Sequence, residues 1–171
     1  MTHSPKRNKK TVWYVTTSVD HDVNFSEKKF RNKVEYILKH PKGWEHIDST
    51  IQFKILDHQP FIKMKSKNKI PIRLSTNKTI VDVCGFSGKL SCCDMNTKQC
   101  WINEYRWKHG SAKSGLPLTK YRNYVINHEV GHALGRLHSK CPCKDCPAPI
   151  MMQQTKGIGK CKPNDMPLQG E

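Results

Sequence analysis

The chain has 171 residues, with 30 Lys and Arg against 14 Asp and Glu for a formal charge of +16, and 36% of it is apolar. That length fits one domain with a modest core, and the 14 Trp, Tyr and Phe argue against a wholly disordered chain. No apolar run reaches the length of a membrane span, and the basic opening MTHSPKRNKK lacks the apolar stretch of a secretory signal.

Residues 1–10 read as a basic disordered N-terminus, and 11–171 as the folded domain. A strand is expected at Thr11 to Thr17, where β-branched and aromatic residues run together. A helix follows: Ser26 is a good N-cap, Phe25 and Phe30 stand at the positions of a hydrophobic staple, and Phe30, Val34, Ile37 and Leu38 repeat at helical spacing. Pro41 stops it. Ile51 to Leu56 and Ile70 to Ser75 read as further strands, with Pro71 placing an edge or a bend near the start of the second. The lysines at 63, 65, 67 and 69 between them suit an exposed segment and need no ligand. Cys84 to Cys100 reads as a cross-linked loop, Trp101 to Tyr105 as a short strand, and Gly110 to Leu116 as a flexible link. A second helix is expected from Leu118 or Thr119 through Leu134, apolar on one face and carrying Tyr121, Tyr124, Val125, His128 and His132 on the other. Beyond Leu137 the Cys-, Pro- and Gly-rich chain should be irregular.

Charge alone points to nucleic acid or another anionic partner, but its distribution does not. Residues 1–80 carry +10 and residues 81–171 carry +6, so no single stripe or tail holds the excess. Lys outnumbers Arg 24 to 6, although Arg is better suited to bidentate phosphate and base contacts. A solvated lysine surface is the favoured reading. The eight cysteines fall into two sets of four: Cys84, Cys92, Cys93 and Cys100, then Cys141, Cys143, Cys146 and Cys161. Even number and short spacing favour disulfides and an oxidising compartment; the rival is a structural zinc site built on Cys143 and Cys146, which would normally require a second C-x-x-C.

The second helix contains HEVGHALGRLH. His128 and His132 lie one turn apart on one face and can present two imidazoles to one metal ion. Glu129, beside the first of them, can hold a water rather than bind the ion. A straight helix would carry His138 away, whereas Gly135 allows the chain to enter the left-handed region and turn back, making His138 a third ligand. Three neutral imidazoles and one water form an open, catalytic type of zinc site. The other six histidines show no ligand spacing.

HEVGHALGRLH resembles the zinc signature of the metzincin metallopeptidases, and PIMMQQT at Pro149 to Thr155 resembles their Met-turn, with Met151 the methionine and Met152 the alternate. From about Val12 to Pro167 the chain also resembles an uncharacterised group of zincin-like domains found mainly in secreted bacterial proteins. The shared segments include HPKGW at His40 to Trp44, YRNYVINHEVGHALG, PAPIMMQQTKG and PND. The resemblance implies an α+β fold: a single zincin-like domain whose small twisted mixed sheet packs on the active-site helix, followed by a disulfide-stapled irregular part. It implies one catalytic Zn2+ and peptide hydrolysis, in which Glu129 takes a proton from the zinc-activated water and delivers it to the leaving amine. It also implies an extended substrate paired along Trp101 to Tyr105 as an edge strand. Finally, it implies bridges from Cys84 to Cys92 or Cys93 and from Cys141 or Cys143 to Cys161, with Cys143 and Cys146 forming an extra bridge or staying free. No tyrosine follows the Met-turn to act as oxyanion donor.

The expected function is that of a monomeric zinc metalloendopeptidase, secreted or in another oxidising compartment, a virion included. The competing readings are a catalytically silent zincin-fold binding module, whose mark would be a lost Glu129, and a basic nucleic-acid-binding protein with structural zinc.

Overall fold

A computed structural model describes residues 10–86 and 89–171, so the N-terminal segment expected to be disordered falls outside the described residues apart from Lys10. The strands are β1 (Thr11–Val19), β2 (Ile51–Ile55), β3 (Lys69–Ser75), β4 (Cys92–Cys93) and β5 (Cys100–Asn103). The helices are α1 (Glu27–Leu38), α2 (Trp44–Ile47), α3 (His58–Lys63), α4 (Asn77–Cys84), α5 (Glu104–His109) and α6 (Leu118–Ala133). The strands form one mixed sheet in the order β2-β1-β3-β5-β4, parallel except for the antiparallel β4–β5 pair. This is the expected α+β architecture of a small mixed sheet packed on α6.

Parallel neighbours cannot be joined by hairpins, and helical crossovers occupy the connections. In α1 the Ser26 hydroxyl accepts the Lys29 amide, and the staple residues Phe25 and Phe30 both meet the Trp107 ring edge-on, at 6.2 and 5.0 Å between centroids. Its buried face is Phe30, Val34, Ile37 and Leu38, the set that the helical spacing picks out. α6 is buried along nearly its whole length, with Tyr121, Tyr124, Ile126, Val130 and Ala133 in the core.

Several elements differ from the sequence expectation. β3 lies inside the sheet, yet Pro71 disturbs no ladder. The Tyr14 and Asp20 amides donate to the Asn68 and Leu74 carbonyls, so even-numbered residues of β3 face β1, and pairing with β5 begins only at Ile72. The strand expected over Trp101 to Tyr105 ends at Asn103, whose side chain accepts the Arg106 amide and starts α5 at Glu104. Nor is it the sheet edge: β4 covers it, pairing Cys92 with Trp101 and Cys93 with Cys100. Gly110 to Leu116 contains a 3-10 turn at Ala112–Ser114, where the Ser114 hydroxyl donates to the Ser111 carbonyl (2.6 Å) and the Ser111 hydroxyl to that of Thr155 (2.8 Å).

The cysteines form four disulfides: Cys84–Cys92, Cys93–Cys100, Cys141–Cys161 and Cys143–Cys146. With Cys143 and Cys146 bonded to each other, no thiolate set remains for a structural zinc. The two sets of four suit an oxidising environment. Two bridges fix β4 to α4 and β5, and the other two tie together the irregular segment after α6. Among the described residues no helix is long and apolar enough to cross a membrane.

Candidate functional site

α6 ends just past the H-E-x-x-H segment. Gly135 adopts φ +89°, its amide donates to the His132 carbonyl, and the Arg136 amide reaches back to the Gly131 carbonyl, both at 2.9 Å. Any residue with a Cβ is strained in that conformation, which is why glycine stands where the chain reverses. The reversal returns His138 to the face that carries His128 and His132. One ring nitrogen from each of the three lies within 4.8 Å of the others, and His132 Nε2 is 3.0 Å from His138 Nε2.

The far sides of two rings are anchored. His128 Nδ1 stands 2.8 Å from the Ile150 carbonyl, and His132 Nδ1 stands 2.8 Å from the Arg136 carbonyl. Carbonyls only accept, so each Nδ1 carries the proton and each Nε2 keeps its lone pair for the shared point. Burial pushes the His128 pKa down to about 3. His132 is lowered for the same reason, and His138 by burial together with the neighbouring His132 and Lys156. Neutral imidazoles with convergent lone pairs are the form a metal ion takes up, so the donor set fits one divalent ion of the zinc type.

Glu129 sits beside this cluster, with its carboxyl buried and its pKa raised to about 8 by that burial. It lines the same cleft as the three histidines, a hollow of about 610 Å3. Met151 is buried, 3% exposed. A Cβ built on Gly131 would stand 2.3 Å from the Met151 sulfur and 3.0 Å from the Trp44 ring, so the methionine packs against the helix between His128 and His132. The Met151 carbonyl accepts the Ser139 amide (3.1 Å), tying the turn to the segment that carries His138. The Glu171 carboxylate accepts the Ile150, Met151 and Leu168 amides at 3.0, 3.1 and 2.7 Å. The alternate, Met152, instead receives the Tyr124 hydroxyl on its carbonyl (3.1 Å).

Sequence reasoning did not assign several groups found here. Tyr124 precedes His128 by one helical turn, with ring centroids 5.4 Å apart, and the i, i+4 spacing on the ligand face was the available signal. Trp44, in the HPKGW segment, donates its indole N–H to the Asn127 carbonyl (3.0 Å) and backs the methionine. Ser91, Cys92 and Cys93 form one wall of the cleft, and Gln153, Thr155 and Lys156, just past Met151 and Met152, form another part of its lining.

No curated protein matches this sequence. Among solved structures, archaemetzincin from Methanopyrus kandleri is similar, with 13% identity, 94% of this chain and 91% of that chain covered, and a TM-score of 0.45. The profile of a family described as a protein of unknown function, DUF3152, matches residues 3–166. With nearly its whole length matched, the chain belongs to the DUF3152 family.

Proposed function

We propose that the protein is a zinc-dependent endopeptidase of an oxidising, extracytosolic compartment. The observation that carries this reading is the convergence of His128, His132 and His138 on one point, with Glu129 beside them in an open cleft. His128, His132 and His138 would hold a zinc ion, which would supply Lewis-acid chemistry and make water easier to ionise. Glu129 is the proton carrier: its carboxyl, buried in the same cleft as the three histidines, takes a proton at one step and releases it to a leaving amine at the next. Met151 and Tyr124 shape the floor and hold the histidines in register, as Trp44 does from behind. An extended peptide is seated against the outer edge of β4 at Cys92–Cys93, which flanks the cleft, and not along Trp101 to Tyr105.

Glu129→Ala tests the assignment. The variant is expected to keep one zinc per chain and the folded structure, read by circular dichroism, while losing peptide cleavage by more than a hundredfold. Cleavage at the wild-type rate by this variant would sink the mechanism. A wild-type protein that binds one zinc and peptides but cleaves none of a broad peptide set would instead be the binding module.

A further inference from the structure

A second hollow, of about 450 Å3, opens off the cleft; Leu90, Thr155 and Lys156 line both. Arg106 and Lys113 complete its charged lining, so every charged described residue around it is a cation. None of these three cations is ion-paired with a carboxylate among the described residues, although the chain pairs Arg31, Arg73, Arg136, Lys39, Lys78 and Lys108 elsewhere.

Two features set the hollow apart from the general lysine surface. First, the Arg106 guanidinium is fixed: Nε donates to the Lys89 carbonyl (2.8 Å) and Nη1 to that of Gly110 (3.2 Å), and among the described residues Nη2 has no acceptor. Second, the turn that carries Lys113 is bonded to the segment that carries Lys156, through the Ser111 hydroxyl on the Thr155 carbonyl. Three like charges held around one concavity repel one another, and an entering anion removes that repulsion. A fixed guanidinium with a free N–H suits a carboxylate.

We propose that this hollow seats a carboxylate of the peptide substrate, so that cleavage is directed to peptides with an acidic side chain, or a free C-terminus, at one fixed distance from the scissile bond. This rests on the peptidase reading and names the substrate class for it.

The test uses zinc-loaded Glu129→Gln protein, which holds peptides without turning them over. It is titrated by fluorescence anisotropy with matched peptides carrying Glu, Gln or Lys at successive positions, each with a free or amidated C-terminus. At one position the Glu peptide is expected to bind about tenfold more tightly than the Gln peptide, and the ratio should shrink as salt rises. Preference for the free C-terminus, whatever the sequence, would identify the terminal carboxylate as the occupant. Lys113→Glu and Lys156→Glu, both at exposed positions, should abolish the preference, while Lys54→Glu on the far edge of the sheet, with the same change in net charge, should not. Equal affinity for all peptides, or an equal effect of Lys54→Glu, overturns the proposal. Discrimination by the Glu129→Gln protein when the wild type cleaves nothing would keep the carboxylate seat and discard the peptidase. Cleavage without discrimination would do the reverse.

Discussion

Replacing Gly131 with alanine sets two known effects against each other. In a helix interior the change is normally favourable by about 1 kcal/mol, because glycine is the more flexible residue in the unfolded chain. Here the new methyl would stand 2.3 Å from Met151 Sδ, 3.2 Å from its Cε and 3.0 Å from Trp44 Cζ2. Ordinary contact begins near 3.4 Å, so the sulfur must retreat by about 1 Å, and neither Met151 nor Trp44, at 3% and 0% exposure, has solvent to retreat into. Overpacking of this kind costs about 1–3 kcal/mol, and the displaced methionine also loses contacts, so a net loss of about 1–2 kcal/mol is expected. Urea unfolding of the metal-free, disulfide-intact protein followed by Trp fluorescence measures it, and zinc affinity should fall in parallel because the floor beneath His128 and His132 has moved. Combining Gly131→Ala with Met151→Ala should give a protein more stable than the two single losses add up to, since the shortened side chain leaves room for the methyl. A Gly131→Ala protein as stable as wild type, or additive losses in the double variant, would refute the packing account.

The metal-free protein should show a pH profile set by its buried cluster. Glu129 titrates near 8 when folded and near 4.5 when unfolded, so the folded state retains a proton that the unfolded chain releases, and stability falls as pH climbs between those values. His128 behaves oppositely: below 6.5 the unfolded chain takes up a proton that the folded state refuses until about pH 3, so stability falls as pH drops through that window. The two slopes oppose each other from 4.5 to 6.5. Above 6.5 Glu129 acts alone and should remove about 2 kcal/mol by pH 8, a decline that Glu129→Gln flattens in urea titrations across that range. An identical decline in the variant would assign it to another group. Serine at both Cys141 and Cys161 should lower stability by about 3 kcal/mol, given a separation of 20 residues. The same pair should loosen zinc, because the bridge holds the segment between His138 and Met151. Unchanged zinc affinity in the double-serine protein would detach the bridge from the site.

The parts of the fold legible in the sequence were those with a long period or a hard punctuation mark. α1 and α6 show themselves through spacing and caps, and β1 to β3 through runs of β-branched residues. α3, α4 and α5, of six to eight residues each, carry too few turns for a period to show, although Thr76 and Asn103 cap α4 and α5 with side chains that could have marked them. β4 has no local signal at all: two cysteines become a strand because β5 and two disulfides hold them there. The three histidines and Glu129 were readable because one helix and one glycine bring them together from a span of eleven residues. The packing of Met151 on Gly131 joins positions 20 apart, and the basic hollow gathers residues from 90 to 156, so both exist only once the chain has folded.

The shortness of β4 has a consequence of its own. Exposed strand edges invite other chains to add on, and a two-residue edge pinned on both sides by disulfides offers almost no template for such growth. The same brevity limits what any incoming peptide gains from backbone pairing there to a few hydrogen bonds. Binding energy must then come from side chains dropped into the cavities around the histidines. On this account the chain would select by what a peptide carries more than by how far it extends, and short peptides with the right groups should bind nearly as well as long ones.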